Sequence, residues 1–259
     1  MTLNKKQTAE LYNQHAQHWA KQIRGNNNPY HSYLEKPAMY SKVPNLNNKK
    51  VLCLGCGSGE EVAYLSTLKP QKIIGVDISE KLVEIAKKNY PHLKFKVMDI
   101  EELNFPENSF DFVYSSLTLH YLESWAKVLK KVRDILTPQG TFLFSITSPF
   151  FSALAKSEDE QVKTRLFGYK DYKQQNTYEI FGDYLTPHER EVPISQTLVV
   201  QNYHRPFSQI FADIKQSGLT IIDIVEPKAI IEAKKNNPKF WEIHQKITEF
   251  MIFELQKQL

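Results

Sequence analysis

Several common signposts are missing from this chain. Cysteine occurs twice in 259 residues. Both, Cys53 and Cys56, fall within one apolar run and the turn after it, so their Cys-x-x-Cys spacing reads as close packing rather than a disulfide framework or a metal site. The amino end, Met1 to Gln7, has no apolar core of the kind a secretion signal needs, and no apolar run reaches bilayer-spanning length. A cytoplasmic protein without a membrane partner is expected. Long basic runs are also absent. The formal charge is only +4, carried on lysine-rich faces of the sort that are usually solvated, which argues against nucleic acid as a partner. There are no internal repeats. With 41% hydrophobic and 24% charged residues, the composition is that of a globular chain with one large domain and additions.

What is present is organised around Val51-Leu52-Cys53-Leu54-Gly55-Cys56-Gly57-Ser58-Gly59-Glu60. An apolar strand runs into three glycines at alternate positions, which permits a tight turn, close approach of a ligand to the backbone, and a helix start with free N–H groups. About 20 residues on, a second buried strand, Lys72 to Val76, ends in Asp77, a carboxylate suited to ribose hydroxyls. A third, Lys94 to Met98, ends in Asp99. From Val51 to Ser145 short β-branched runs alternate with amphipathic helices, the pattern of a parallel sheet covered on both faces. Helices are expected over Glu60–Leu68, after the N-cap Ser79, and over Ser124–Leu136; further strands are expected over Phe110–Tyr114 and, beyond a Thr137-Pro138-Gln139-Gly140 turn, Thr141–Ile146.

On these motifs the chain resembles the class I S-adenosylmethionine-dependent methyltransferases of the small-molecule type. Its Gly-x-Gly-x-Gly loop differs from the Gly-x-Gly-x-x-Gly of dinucleotide sites, consistent with a cofactor that has no pyrophosphate to place at a helix end. The resemblance implies an α/β, doubly wound, mostly parallel seven-stranded Rossmann-like sheet in a single domain. It divides into an N-terminal helical lid (1–48), a cofactor-binding core (49–146), a substrate cap insertion (147–206) and the C-terminal part of the sheet (207–259). It implies S-adenosyl-L-methionine as cofactor, with S-adenosyl-L-homocysteine as product, held by Gly55, Cys56, Gly57, Gly59, Asp77, Ile78, Asp99, Ile100, Ser115, Ser116 and His120. Asp99 and the Ile100 backbone are the expected adenine site.

The lid helix, about Asn4 to Ile23, carries Leu11, Tyr12, His15, Trp19 and Ile23 on one stripe and is broken by Gly25 to Pro29; Tyr30, His31, Tyr33 and Tyr40 follow, as substrate-mouth residues or as ordinary lid packing. The cap is rich in aromatics, among them Phe150, Phe151, Phe167, Tyr169, Tyr172, Tyr178, Phe181 and Tyr184, with a strand-like stretch at Val192–Val200. A helix over Ser208–Ser217, a strand at Leu219–Val225, a Lys- and Asn-rich linker, a short helix after Pro238 and an antiparallel strand at Phe250–Leu255 complete the chain.

The expected activity is methyl transfer to an oxygen or nitrogen of a small metabolite. The segment Ser115 to Tyr121 lacks an Asn-Pro-Pro-Tyr type tetrapeptide, and neither cysteine stands where a cytosine-attacking nucleophile belongs, which lowers the weight of nucleic-acid methylation. His120, His204 and His188 are the candidate bases, with Arg205 a bidentate partner for a substrate carboxylate. Equally open are a packing role for His120 and a lid ion pair for Arg205; His188 reads as solvated. One departure matters. The position two before the first glycine is usually acidic in the resembled family and here is Cys53, so Glu60, Glu61 or a lid residue must supply the charge opposite the cofactor's ammonium, or affinity falls. This supports the alternative of a catalytically weak or inactive methyltransferase-fold protein with a binding or regulatory role.

Overall fold

Alternation along the strands decides how the sheet is covered. In β1 (Lys50–Leu54) Leu52 and Leu54 face one cluster of buried side chains, while Val51 and Cys53 face another. The computed structural model describes residues 5–23, 28–153, 168–172, 177–181, 183–193 and 199–258. The lid comprises α1 (Lys5–His18), a π-helical turn at Trp19–Ile23, another at His31–Glu35, and α2 (Lys36–Ser41). After β1 come α3 (Glu60–Ser66), β2 (Lys72–Asp77), α4 (Glu80–Asn89), β3 (Lys94–Val97), β4 (Phe110–Ser115), α5 (Ala126–Ile135) and β5 (Leu136–Thr147). The cap holds α6 (Pro149–Ser152), an antiparallel pair β6 (Gly168–Tyr172) and β7 (Thr177–Phe181), and a second pair β8 (His188–Pro193) and β9 (Val199–His204). Then follow α7 (Phe207–Ser217), β10 (Leu219–Val225), α8 (Ile231–Asn236), α9 (Pro238–Ile243) and β11 (Phe250–Lys257).

Seven strands form one sheet in the order β10-β11-β5-β4-β1-β2-β3. The first five in chain order run parallel, and β11 slots antiparallel between β5 and β10. One face carries α5, through Val128, Leu129, Val132 and Ile135, and α7, through Ile210 and Ile214. The other carries α2, α3 and α4, through Met39, Val62, Leu65, Val83 and Ala86. The chain order reverses between β1 and β4, so the loops after these strands flank the crevice where open α/β sheets bind ligands.

Most element expectations match, and the differences have local causes. Ser79 caps α4, its Oγ accepting from Leu82 N at 3.2 Å, and Gly218 ends α7 in the left-handed conformation, φ +80. The Thr137–Gly140 turn does not precede β5 but lies inside it as a bulge: the register to β4 jumps from Phe110↔Leu136 to Phe112↔Thr141, with Gln139 at φ +63. The Lys- and Asn-rich linker contains α8, anchored by the buried Ala233. The stretch Val192–Val200 is not one strand, since β8 ends at Pro193 and β9 begins at Val199, with 194–198 outside the described residues. The helix break at Gly25–Asn27 and Phe167 also lie outside them, and for Tyr169, Tyr172, Tyr178 and Phe181 only the strands that carry them are described. Cys53 and Cys56 are free, buried thiols; a Cβ on Gly75 would come within 2.9 Å of Cys56 Sγ, so the neighbouring strand lacks a side chain where the thiol sits. Among the described residues no helix is long and apolar enough to cross a membrane.

Candidate functional site

The turn after β1 requires its glycines. Gly55 sits at φ +62, and a Cβ there would lie 2.1 Å from Thr118 Oγ1, so only hydrogen fits against the loop after β4. Gly57, at φ +52, differs: its Cβ would meet only Trp19 Nε1, at 3.8 Å, and otherwise open space. The loop backbone therefore faces a void roofed by the lid.

That void is a cavity of about 690 Å³, lined below by Gly55, Gly57, Asp77, Ile78, Asp99 and Ile100, and above by Tyr12, Trp19 and the β8–β9 hairpin. Its volume falls within the roughly 300–1,000 Å³ typical of ligand sites. Asp77, at the end of β2, braces the floor: Oδ2 accepts from Gly57 N at 2.8 Å and Oδ1 from Ser79 N at 2.9 Å. Asp99 caps the turn at Ile100–Glu102 by accepting from Glu101 N at 2.9 Å. Beyond β4, Leu117 adopts φ +49, an uncommon conformation for leucine, held by hydrogen bonds from its N–H to Ser145 O (3.1 Å) and Oγ (3.0 Å).

The roof is tied to the floor. Asn13 Oδ1 on α1 accepts from Ser79 Oγ at 2.7 Å and Lys81 N at 3.1 Å. Tyr12 meets Trp19 and Tyr121 edge-on, with centroids 5.1 and 5.8 Å apart. Tyr12, Leu82 and Val200 join in one apolar cluster, bringing lid, core and cap together. Of the lid aromatics, Tyr30 and His31 line the cavity. Tyr40 stacks instead on Tyr64 at 3.6 Å, and Tyr33 OH accepts from Asn236 Nδ2 at 2.9 Å.

The expected site residues separate into two groups. Gly55, Gly57, Asp77, Ile78, Asp99, Ile100, Ser116 and His120 line the cavity. Cys56, Gly59 and Ser115 lie behind it: Cys56 packs against Gly75, Gly59 against Phe95, Tyr90 and Ala86, and Ser115 Oγ turns to Leu54 O at 3.3 Å. His204 and Arg205 are likewise behind the wall, Arg205 beside a crevice that also touches His120. His204 Nε2 lies 2.8 Å from Tyr184 O and Nδ1 2.5 Å from Ser152 Oγ. Burial lowers its pKa, so the neutral ring donates to the carbonyl and accepts from the serine, leaving no nitrogen for a substrate. Arg205 donates to Leu122 O and lies over Trp125, 5.1 Å from the ring centroid. His188 Nδ1 is 2.7 Å from Thr186 O.

Burial, reinforced by the Arg205 charge, holds His120 down to about 3. It is therefore neutral under ordinary conditions, with Nδ1 buried and unpartnered among the described residues. The acid whose charge changes near neutrality is Glu249, just before β11, which lines the cavity and is pushed up to about 7 by burial, against a hydrogen bond from Tyr30. Glu249 was not legible in the sequence, nor were Arg190 and Asn202 on the hairpin, which also line the cavity. The strand-like stretch expected at Val192–Val200 overlaps the hairpin only at its inner ends, and the charged run around Arg190 hid the rest of β8.

At the Cys53 position the charge question has structural answers. Glu60 accepts from Ser58 Oγ at 2.8 and 2.9 Å. Glu61 is buried under the loop near Cys56. Glu35, from the lid, is fully buried at the ends of β4 and β5, where Oε1 accepts from Ser116 Oγ (2.8 Å) and Ser145 Oγ (2.6 Å).

A doubly wound sheet with this strand order, a glycine turn after its first strand, and acids at the ends of the next two defines a Rossmann-like protein with a site suited to a nucleoside ligand. Residues 52–144 match the methyltransferase domain family. A protein of Haemophilus influenzae that carries no assigned activity is 31% identical over 192 residues, 68% of this chain and 76% of its own length. The trans-aconitate 2-methyltransferase of Deinococcus radiodurans is 30% identical over 128 residues, 47% of this chain and about half (48%) of that protein. A crystal structure of an S-adenosylmethionine-dependent methyltransferase from Mesorhizobium loti superposes with a TM-score of 0.72 at 23% identity, covering 90% of this chain and 99% of the other. The chain belongs to the class I S-adenosylmethionine-dependent methyltransferase family, and its cofactor is S-adenosylmethionine. The residues present fit that group: a glycine backbone open to the cavity at Gly57, two carboxylates at strand ends, apolar Ile78, Ile100 and Leu82 between them, and, among the described residues, no cluster of basic side chains that would select a pyrophosphate.

Proposed function

We propose that the protein methylates an oxygen or nitrogen of a small metabolite enclosed between the glycine loop and the cap. The observation that carries this reading is the continuity of the cavity: one space runs from Gly57 and Asp77 to the underside of the β8–β9 hairpin, large enough for the cofactor and a small acceptor together. The Deinococcus relative is named for a small organic acid, an acceptor of compatible size.

S-adenosylmethionine, when bound, supplies a methyl already activated on a sulfonium, so the chain's task is positioning and dehydration. Asp77 and Asp99 would take the ribose and adenine ends, and Ser116 with the loop backbone the methionine end, with the Glu35 charge just behind Ser116. Tyr12 and Trp19 keep water from the roof. His120 stays neutral and serves as a hydrogen-bonding wall. A conjugate acid near 3 makes it a poor proton acceptor. Glu249 is the better group to take a proton from a hydroxyl or ammonium acceptor, being on the cavity wall and ionising near the working range.

Calorimetry with S-adenosylhomocysteine, followed by transfer of labelled methyl into a metabolite extract, tests the reading. Absence of binding at millimolar ligand would refute it. Tight binding without transfer would favour the regulatory alternative.

A further inference from the structure

The proposal here rests on the methyl-transfer reading and names its acceptor class. We propose that the acceptor is an organic acid whose carboxylate docks on Arg190 and Asn202, the anchor being distinct from the atom that receives the methyl.

The hairpin register sets the geometry. Arg190 pairs with Asn202 and Val192 with Val200. Residues two apart on a strand share a face, and all four line the cavity. The hairpin thus presents a polar pair beside an apolar pair, suited to a molecule with a charged end and a hydrocarbon body.

Arg190 is half-buried, and among the described residues it has no hydrogen bond or ion pair; burial alone lowers its pKa. A desolvated guanidinium without a carboxylate is costly, and its planar fork matches a carboxylate in two parallel hydrogen bonds. Asn202 is the independent observation. It is only 5% exposed, and among the described residues its buried side-chain oxygen has no partner. Since the amide can be turned either way, it offers a donor to a ligand oxygen held by its cross-strand neighbour.

The remaining charges select among anions. Carboxylates line the rest of the cavity, Asp77, Asp99 and Glu101 below with Glu123 and Glu249 at the sides, and His120 adds no positive charge. Among the described residues Arg190 is the one guanidinium beside these acids, which suits a monoanion and disfavours a phosphate dianion. Oxygens gripped by a guanidinium are also weakened as nucleophiles, so the acceptor atom belongs to another part of the molecule.

The experiment uses the full chain as wild type, Arg190→Met and Arg190→Lys. A small-molecule cell extract is split by anion exchange into anionic and non-anionic fractions, and each is incubated with methyl-labelled S-adenosylmethionine. The expected result is label in the anionic fraction, in a product that retains a free carboxylate. For Arg190→Met the apparent KM for that fraction rises roughly 10- to 100-fold, with kcat within a few-fold, unchanged S-adenosylhomocysteine affinity, and partial recovery in Arg190→Lys. Label confined to the non-anionic fraction, a product whose only carboxylate has become a methyl ester, or an unchanged KM in Arg190→Met overturns the proposal while leaving methyl transfer intact. No binding of S-adenosylhomocysteine by the wild type, or no label in either fraction, refutes the underlying reading instead.

Discussion

Replacing Glu249 by glutamine should stabilise the protein in mildly alkaline solution and do little in acid. The carboxyl sits at the head of β11 against Tyr30, with His244 Nε2 4.0 Å away. Burial lowers the His244 pKa as well, so among the described residues no cation offsets the buried charge. Raising Glu249 from its ordinary 4.5 to about 7 means that the folded state binds a proton the unfolded chain has released. The stabilisation from this group is complete below the unfolded value and is lost as pH rises through the folded one. Between pH 4.5 and 7 that loss reaches about 3 kcal/mol, an order-of-magnitude figure from the linkage relation. Glutamine keeps an acceptor for Tyr30 and never ionises. Urea denaturation of both proteins from pH 5 to pH 8 isolates the effect, because other titrations cancel in the difference. The variant should gain on the wild type from pH 5 up to about pH 7 and hold its lead above that. Parallel stability profiles would show that Glu249 ionises normally, and would remove it as the proton acceptor.

Other outcomes follow from the loop and the roof. Gly57→Ala should fold, with a backbone cost of roughly 1–2 kcal/mol, yet lose S-adenosylhomocysteine affinity more than about tenfold because its methyl enters the cavity; calorimetry and a thermal melt check both. Gly55→Ala should fail to fold stably, since its methyl would collide with Thr118, and circular dichroism decides that. Asp77→Asn should weaken cofactor binding roughly tenfold or more and lower the melting temperature as well, because the amide places a donor against either the Gly57 or the Ser79 N–H. Asn13→Ala should speed S-adenosylhomocysteine dissociation in stopped-flow measurements with little change in melting temperature; an unchanged rate would mean the roof does not gate the site.

The cofactor half was legible because its signals are local. Glycines at alternate positions and an acid at the end of the next strand, about 20 residues on, announce themselves within one βαβ unit, and the sheet order follows from parallel crossovers. The acceptor half was not. Arg205 stands beside a proline in a run that looks exposed, and only the packing of α7 turns it behind Trp125. Arg190 sits in a charged stretch that reads as solvated, until pairing with β9 aims it inward opposite Asn202. Glu249 owes its surroundings to β11 slipping between β5 and β10, a long-range pairing that no window of sequence contains. Cys53 stood out as a departure, but Glu35, from the lid, could be found only once its two serine partners were in place.

The insertion of β11 ties assembly to competence. Residues 250–257 fill the position between β5 and the edge strand β10, with Phe253 fully buried in the core on the α5 and α7 face, and Glu249 and Phe250 at the head of the same strand close the cavity. On the ribosome, the glycine loop and its acids can form long before this strand emerges, but the acceptor chamber cannot. A nascent or truncated chain ending before residue 249 would hold the nucleoside cradle without the chamber that uses it, and folding quality control would see an open sheet edge in place of a finished enzyme.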